Sequence, residues 1–219
     1  MEDAVMNHGV ILAGLVSAAL TAAAAQAGPD YYAVSGVSAD KLLNVRMAPD
    51  ADAPIISAFH HDAAPIEIVR VENGWGLFPA GEFSGWVDMS FLTPVSAPKV
   101  ADTPLPEGMS CVGTEPFWVA VITSEGVTFS HQNWGDSRSH RLDSAVSSPD
   151  EDRITYIVFE SGSAAISPGQ CYDGMSDAEF GWRGDFVLGR EDDSPRLRGC
   201  CKLSAPIVDG DPPGYARAG

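Results

Sequence analysis

The sequence predicts an all-β protein, a small barrel followed by a second antiparallel β domain linked by disulfides. Three observations carry that expectation. Short apolar runs recur at a spacing of about 8–12 residues, with Gly, Pro and Asp between them. No stretch sustains a helical apolar repeat, so little helix is expected. All four cysteines, Cys111, Cys171, Cys200 and Cys201, fall in the second half of the chain. An even count in an exported chain suggests two bridges.

Export is itself read from residues 1–27. From Gly9 to Ala25 the chain is nearly all Val, Ile, Leu, Ala and Gly, with no charge. Ala25-Gln26-Ala27 then supplies the small-x-small pattern of a cleavage site, and Gly28-Pro29-Asp30 breaks any helix. The apolar core is short of the roughly 20 residues of a spanning helix, so no stable membrane anchor is expected after cleavage. The opening Met1-Glu2-Asp3-Ala4-Val5 is acidic for a leader, which makes Met6 the better start. Because Glu2 and Asp3 are its only charges, removing the leader takes the net charge from −17 to −15. Such a field repels phosphate backbones and argues against nucleic acid as a partner. The expected compartment is the periplasm or the exterior.

Residues 28–94 form the first unit. Its runs are Tyr31–Val34, Leu42–Val45, Ile55–Phe59, Ile66–Val71, Trp75–Phe78 and Trp86–Met89. Ile68 and Val69 are both apolar, the mark of a bulge or a barrel corner. Leu43-Asn44-Val45-Arg46, Pro49, Ile55-Ile56, Gly74-Trp75, Gly85-Trp86-Val87 and Phe91-Leu92 together resemble the bacterial SH3-like domain. In that fold Leu43 and Val45 would face the core, Asn44 and Arg46 would hold the following loop, and Gly85 would permit a tight turn before Trp86. Tyr31, Tyr32, Trp75 and Trp86 are more aromatic surface than a barrel of about 60 residues can fully bury. Trp86 is assigned to the core. Tyr32 and Trp75 are candidates to line a groove for a peptide, protein or peptidoglycan ligand.

Four prolines between Thr93 and Gly108 mark a boundary, and residues 95–108 read as an extended, semi-rigid linker. Residues 109–203 form the second unit, with runs Phe117–Ile122, Val127–Ser130, Ile154–Phe159, Phe186–Leu188 and Leu197–Leu203. Ile154, Tyr156 and Val158 alternate with Thr155, Ile157 and Phe159, an unusually apolar segment that predicts a strand buried on both faces. Ser124-Glu125-Gly126 and Arg190–Ser194 suit hairpin connections. Bridging neighbouring Cys200 and Cys201 to each other would close a strained ring. Cys111 and Cys171 are therefore expected each to pair with one of the doublet, stapling both sides of one strand. Residues 204–219, rich in Pro and Gly, read as a disordered tail.

Two segments of the second unit carry a further likeness. Cys111-Val112-Gly113-Thr114-Glu115-Pro116-Phe117-Trp118 and Cys171-Tyr172-Asp173-Gly174-Met175-Ser176-Asp177, with Gly199-Cys200-Cys201, resemble an uncharacterised family of envelope proteins. Thr114 stands where that family usually has Asn. The family is distantly similar to the META/HslJ type of small β domain. The resemblance implies an exported β domain with no established chemistry.

A nucleophilic cysteine needs a histidine beside it, and here Cys171 precedes Tyr-Asp-Gly with His131 and His140 upstream. Disulfides account for all four cysteines, and no Cys-x-x-Cys pair suggests zinc. Asp173, Ser176, Asp177 and Glu179 cluster oxygens but lack the spacing of an EF-hand, so turn formation is the preferred role. Glu115 beside Phe117 and Trp118 is either a strand-entry group or the acid at the lip of an aromatic pocket. The expectation is a non-enzymatic envelope protein with no metal or cofactor. Its candidate binding residues are Tyr32, Trp75, Glu115, Trp118, Asp173 and Asp177.

Overall fold

A computed structural model describes residues 29–131, 135–149, 153–189, 194–204 and 206–208. The leader, most of the connection at Arg190–Ser194 and residues 209–219 lie outside them. The first unit has eight strands: β1 (Asp30–Val34), β2 (Leu42–Arg46), β3 (Ile55–His60), β4 (Ile66–Ile68), β5 (Arg70–Glu72), β6 (Trp75–Pro79), β7 (Ser84–Asp88) and β8 (Leu92–Pro94). They form a three-stranded sheet, β4-β1-β8, and a five-stranded sheet, β3-β2-β7-β6-β5. The apolar run at Ile66–Val71 breaks at Val69, and its two halves serve different sheets, as the paired Ile68 and Val69 suggested.

Period-2 alternation places Leu43, Val45, Phe59, Ile66, Phe78 and Val87 inside this unit. Asn73 and Gly74 both have positive φ, 48° and 84°, and close the β5–β6 hairpin as an Asn-Gly pair should. Arg46 holds its loop as expected, donating from Nη1 to the Ala53 carbonyl at 2.6 Å. Gly85 serves a different purpose from the one predicted. It lies within β7, where a Cβ would stand 2.5 Å from Val45 Cγ1 and 3.0 Å from the Phe78 ring. Close packing, not a turn, requires glycine there.

The second unit is a closed antiparallel barrel of eight strands paired in sequence order. They are β9 (Met109–Thr114), β10 (Phe117–Ile122), β11 (Gly126–His131), β12 (Arg138–Ser147), β13 (Thr155–Phe159), β14 (Gly162–Cys171), β15 (Phe180–Leu188) and β16 (Arg196–Leu203). A barrel of this strand number has an interior just wide enough for side chains to fill. Trp118, Phe129, Phe159, Trp182 and Phe186 fill it, with Trp118 edge-on to Phe186 at 5.2 Å between centroids. The disulfides are Cys111–Cys201 and Cys171–Cys200. The first lies in the barrel core, and the second packs outside it with Ala178 and Phe180. The doublet thus staples both faces of β16.

Three expectations need correction. β13 is not buried on both faces: Thr155, Ile157 and Phe159 point inward, while Tyr156 and Val158 are exposed. In a closed barrel only alternate residues can reach the interior, whatever their hydrophobicity. Residues 95–108 are not an extended spacer. Val100 and Leu105 are fully buried in the barrel core, and the Val100 N–H donates to the Leu105 carbonyl at 2.9 Å. Burying two large apolar side chains outweighs the extended bias of the neighbouring prolines. Finally, Ile207 bridges Phe59 and the Val208 N–H donates to Ala58, so residues 206–208 of the predicted tail lie against β3.

Candidate functional site

The segment from Cys171 to Glu179 joins β14 to β15 and decides the geometry where the two units meet. Cys171 is tied to Cys200, and Asp173 then bends the chain. Its Oδ1 accepts from the N–H groups of Met175 and Ser176 at 3.0 and 2.9 Å, and its Oδ2 from the Ser176 hydroxyl at 2.9 Å. Burial pushes the Asp173 pKa upward, but these donors outweigh it and hold the group below the usual carboxylate range. Thr114, at the end of β9, donates to the Asp173 carbonyl at 3.1 Å. The loop is pinned at both ends and in the middle, and a groove opens on either side of it.

The first groove encloses about 560 Å³. Met47, Phe83 and Trp86 of the first unit form one wall; Tyr172, Asp177 and Glu179 form the other. Asp177 donates its backbone N–H to Glu82 at 2.9 Å and pairs with Phe83 as a parallel bridge, which zips the two walls together at one end. Glu179 is the hub, with only 7% of its surface exposed. Its carboxylate faces Arg70 Nε at 3.3 Å, accepts from Gln170 Nε2 at 2.9 Å and from the Tyr172 hydroxyl at 3.3 Å. Its N–H donates to Ser84 Oγ at 2.8 Å. Arg70 also pairs with Glu72 and lies over the Trp86 ring, 5.0 Å from the centroid. The outcome is an apolar aromatic floor edged by fixed charges of both signs. Tyr172, 62% exposed, has its phenol pKa raised, first by desolvation and then by Glu179, so it remains a neutral donor at the mouth.

A second groove, also about 560 Å³, lies across the loop. Here the two cysteine-led motifs converge, Gly113, Thr114 and Phe117 from one and Asp173, Met175 and Ser176 from the other. Glu82 of the first unit and Lys202 of β16 complete it. Burial lowers the Lys202 pKa against the opposing pull of Glu67, Glu82 and Asp173, and its ammonium stands 5.7 Å from the Phe180 ring centroid.

The six residues singled out in the sequence fall in different places. Asp173 and Trp118 border the second groove, although Trp118 is only 3% exposed and its ring packs in the barrel interior. Trp118 is a core residue first: a Cβ on Gly113 would collide with its indole. Asp177 lines the first groove. Tyr32 lies in a separate cleft of about 370 Å³ with Pro94 and Lys99, and Trp75 in another of about 380 Å³ with Asn44, Arg46 and Asp88. Glu115 is exposed in the β9–β10 turn. Among the described residues no hydrogen bond links Glu115, Asp173 and Asp177. Sequence reading missed Arg70, Phe83 and Lys202 and left Trp86 solely to the core. One signal was present: Arg70 and Glu67 are charges set within the otherwise apolar run Ile66–Val71, and a charge there needs a partner.

Residues 39–93 match the family described as bacterial SH3 domain. Comparison with curated proteins and with solved structures returns no match.

Proposed function

We propose that this is an exported, non-enzymatic cell-envelope protein whose bacterial SH3 unit binds a peptide or a peptidoglycan fragment in the groove it shares with the barrel. The observation that carries the reading is the groove around Trp86, Arg70 and Glu179. An extended ligand finds there an apolar floor for a side chain, the exposed Asp177 carboxylate for an amine and the ring of Tyr172 at the rim. Peptidoglycan stems carry amines and carboxylates on a short chain, which suits charges of both signs. Two disulfides and the leader-like residues 1–27 support an oxidising compartment. The absence of a nucleophile–base pair in the sequence favours binding over catalysis.

The test uses the mature chain on purified peptidoglycan sacculi and on immobilised periplasmic extract. The wild type should be retained on at least one. Tyr172→Ala and Phe83→Ala, both at exposed side chains, should lose at least tenfold in retention with unchanged melting temperature. Retention on neither matrix, or full retention by both variants, would overturn the reading. Trp75→Ala serves as the control for the separate Trp75 cleft.

A further inference from the structure

The seam between the units holds one acid that the binding groove does not use. Glu67 sits on β4 and is only 2% exposed. Its Oε2 accepts the Leu203 N–H of β16 at 2.8 Å, a hydrogen bond that crosses from one unit to the other. Its Oε1 has no partner; the buried Tyr31 hydroxyl and Trp182 indole N–H face each other, near enough for the indole to lower the phenol's pKa but without the geometry of a full hydrogen bond. These groups belong together. Tyr31 stands directly opposite Glu67 in the β1–β4 register, so both side chains leave the same face of the sheet. Tyr31 packs against the barrel core, and Trp182 is part of that core. Gly181, next to Trp182, leaves room for Pro29, whose Cγ would lie 2.7 Å from a Cβ there, and its backbone also passes close to Glu67, whose Oε1 would lie 3.1 Å from that Cβ.

An ionised carboxylate is badly placed here. One backbone N–H is a thin replacement for its hydration, and a buried charge needs a partner at hydrogen-bonding distance. Lys202 on β16 acts on it only through space, and Tyr31 on β1 is the other titratable group facing it. Trp182 and Gly181 on β15 carry no charge. Asp30 and Arg153 act on Tyr31. A protonated carboxyl suits the site better, because it can donate to an oxygen while still accepting from Leu203.

We propose that Glu67 is a proton-controlled latch between the two units, holding them docked while it keeps its proton and loosening the seam as it gives that proton up. Burial pushes its pKa up to about 8, against the lowering pull of Leu203 and Lys202. Burial, with Glu67 adding to it, pushes the Tyr31 phenol upward too, so Tyr31 stays neutral over the range in which Glu67 titrates. In the opened seam Glu67 returns to its ordinary value of 4.5. The docked state therefore binds the extra proton between these two values, and opening becomes about tenfold easier per pH unit as pH rises through that window. Above about 8 the effect levels off. If ligand binds in the shared groove, its affinity should fall as docking is lost, because Arg70 and Ser84 come from one unit and Glu179 from the other. That consequence rests on the proposed binding function; the latch does not.

The experiment is amide hydrogen exchange on the mature chain, wild type against Glu67→Gln, across the window from about pH 5 to about pH 9. Taking the ratio at each pH removes the base catalysis common to both proteins. The ratio for Leu203 and for the β4 amides should rise about tenfold per pH unit and then flatten near 8, while amides that exchange by local fraying away from the seam show no such change. A constant ratio at Leu203 and β4 overturns the proposal. Should Glu67→Gln fail to fold, infrared titration of the wild type decides: a protonated carboxyl band persisting at pH 6 is expected, and its absence refutes the latch. Unchanged exchange behaviour with lost sacculus retention, or the reverse, separates failure of one proposal from failure of the other.

Discussion

Removing the two disulfides separately should produce unequal damage, because one bridge lies in the barrel core and the other outside it. The bridges are nested. Cys171–Cys200 closes 29 residues and Cys111–Cys201 closes 90, but with the inner bridge intact the outer loop is effectively about 61 residues. Chain-entropy arithmetic then assigns about 3.7 kcal/mol to the inner bridge and about 4.3 kcal/mol to the outer. Packing widens the gap. Cys111 and Cys201 are fully buried among Met109, Trp182 and Phe186, so Cys111→Ala/Cys201→Ala empties two core positions at about 1 kcal/mol each. Cys171 is only half-buried, so Cys171→Ala/Cys200→Ala loses about 1 kcal/mol of packing. The totals are about 6 and about 5 kcal/mol, and the first is enough to unfold a domain at the low end of the 5–15 kcal/mol range of typical stabilities. Urea unfolding of both double variants, followed by barrel tryptophan fluorescence, measures the difference. The core variant should have the lower midpoint. If the outside variant proves the less stable, the division into a core bridge and a surface bridge is wrong.

Other perturbations follow from the same packing. Trp118→Ala should cost about 3–5 kcal/mol in urea unfolding, because the ring touches Phe129 and Phe186 inside the barrel; a loss under about 1 kcal/mol would mean that the indole serves the groove rather than the core. Leu105→Ala should cost about 2–4 kcal/mol although it lies between prolines, and a neutral result would restore the linker reading of residues 95–108. Glu67 makes unfolding depend on pH. Its folded pKa of about 8 exceeds the ordinary 4.5, so its contribution is favourable at low pH and is lost as pH rises through that interval. The loss is on the order of 5 kcal/mol, and Glu67→Gln should flatten the profile in urea titrations at a series of pH values.

Much of the architecture was legible in the residues. Leu43 and Val45 alternate with the partly exposed Leu42, Asn44 and Arg46, and Asn73-Gly74 marks its hairpin without tertiary help. Other strands were invisible. β12, Arg138–Ser147, is mostly polar, since its outer face meets water and its inward residues include His140 and Ala145. β14 carries Gly162, Pro168 and Gly169, and its inward Ala164 gives a weak apolar signal. In both cases the closed ladder supplies hydrogen bonds that the side chains do not advertise. Of the candidate site residues, Asp173 forms the turn after Cys171, Trp118 packs in the core, and Tyr32 and Trp75 lie in separate clefts.

By itself the sequence determined the all-β class, the two-unit order and the rule that neither Cys200 nor Cys201 could pair with its neighbour. Each of these follows from local chemistry: side-chain period, turn residues and ring strain. Only the tertiary structure decided that Cys201 pairs with Cys111 and Cys200 with Cys171, that Val100 and Leu105 fill the barrel core, and that Arg70 finds Glu179 across the seam. Those pairings join residues up to 109 positions apart. Nothing in the immediate neighbourhood of Glu67 distinguishes it from a solvated strand glutamate until β16 closes over it and takes its water away.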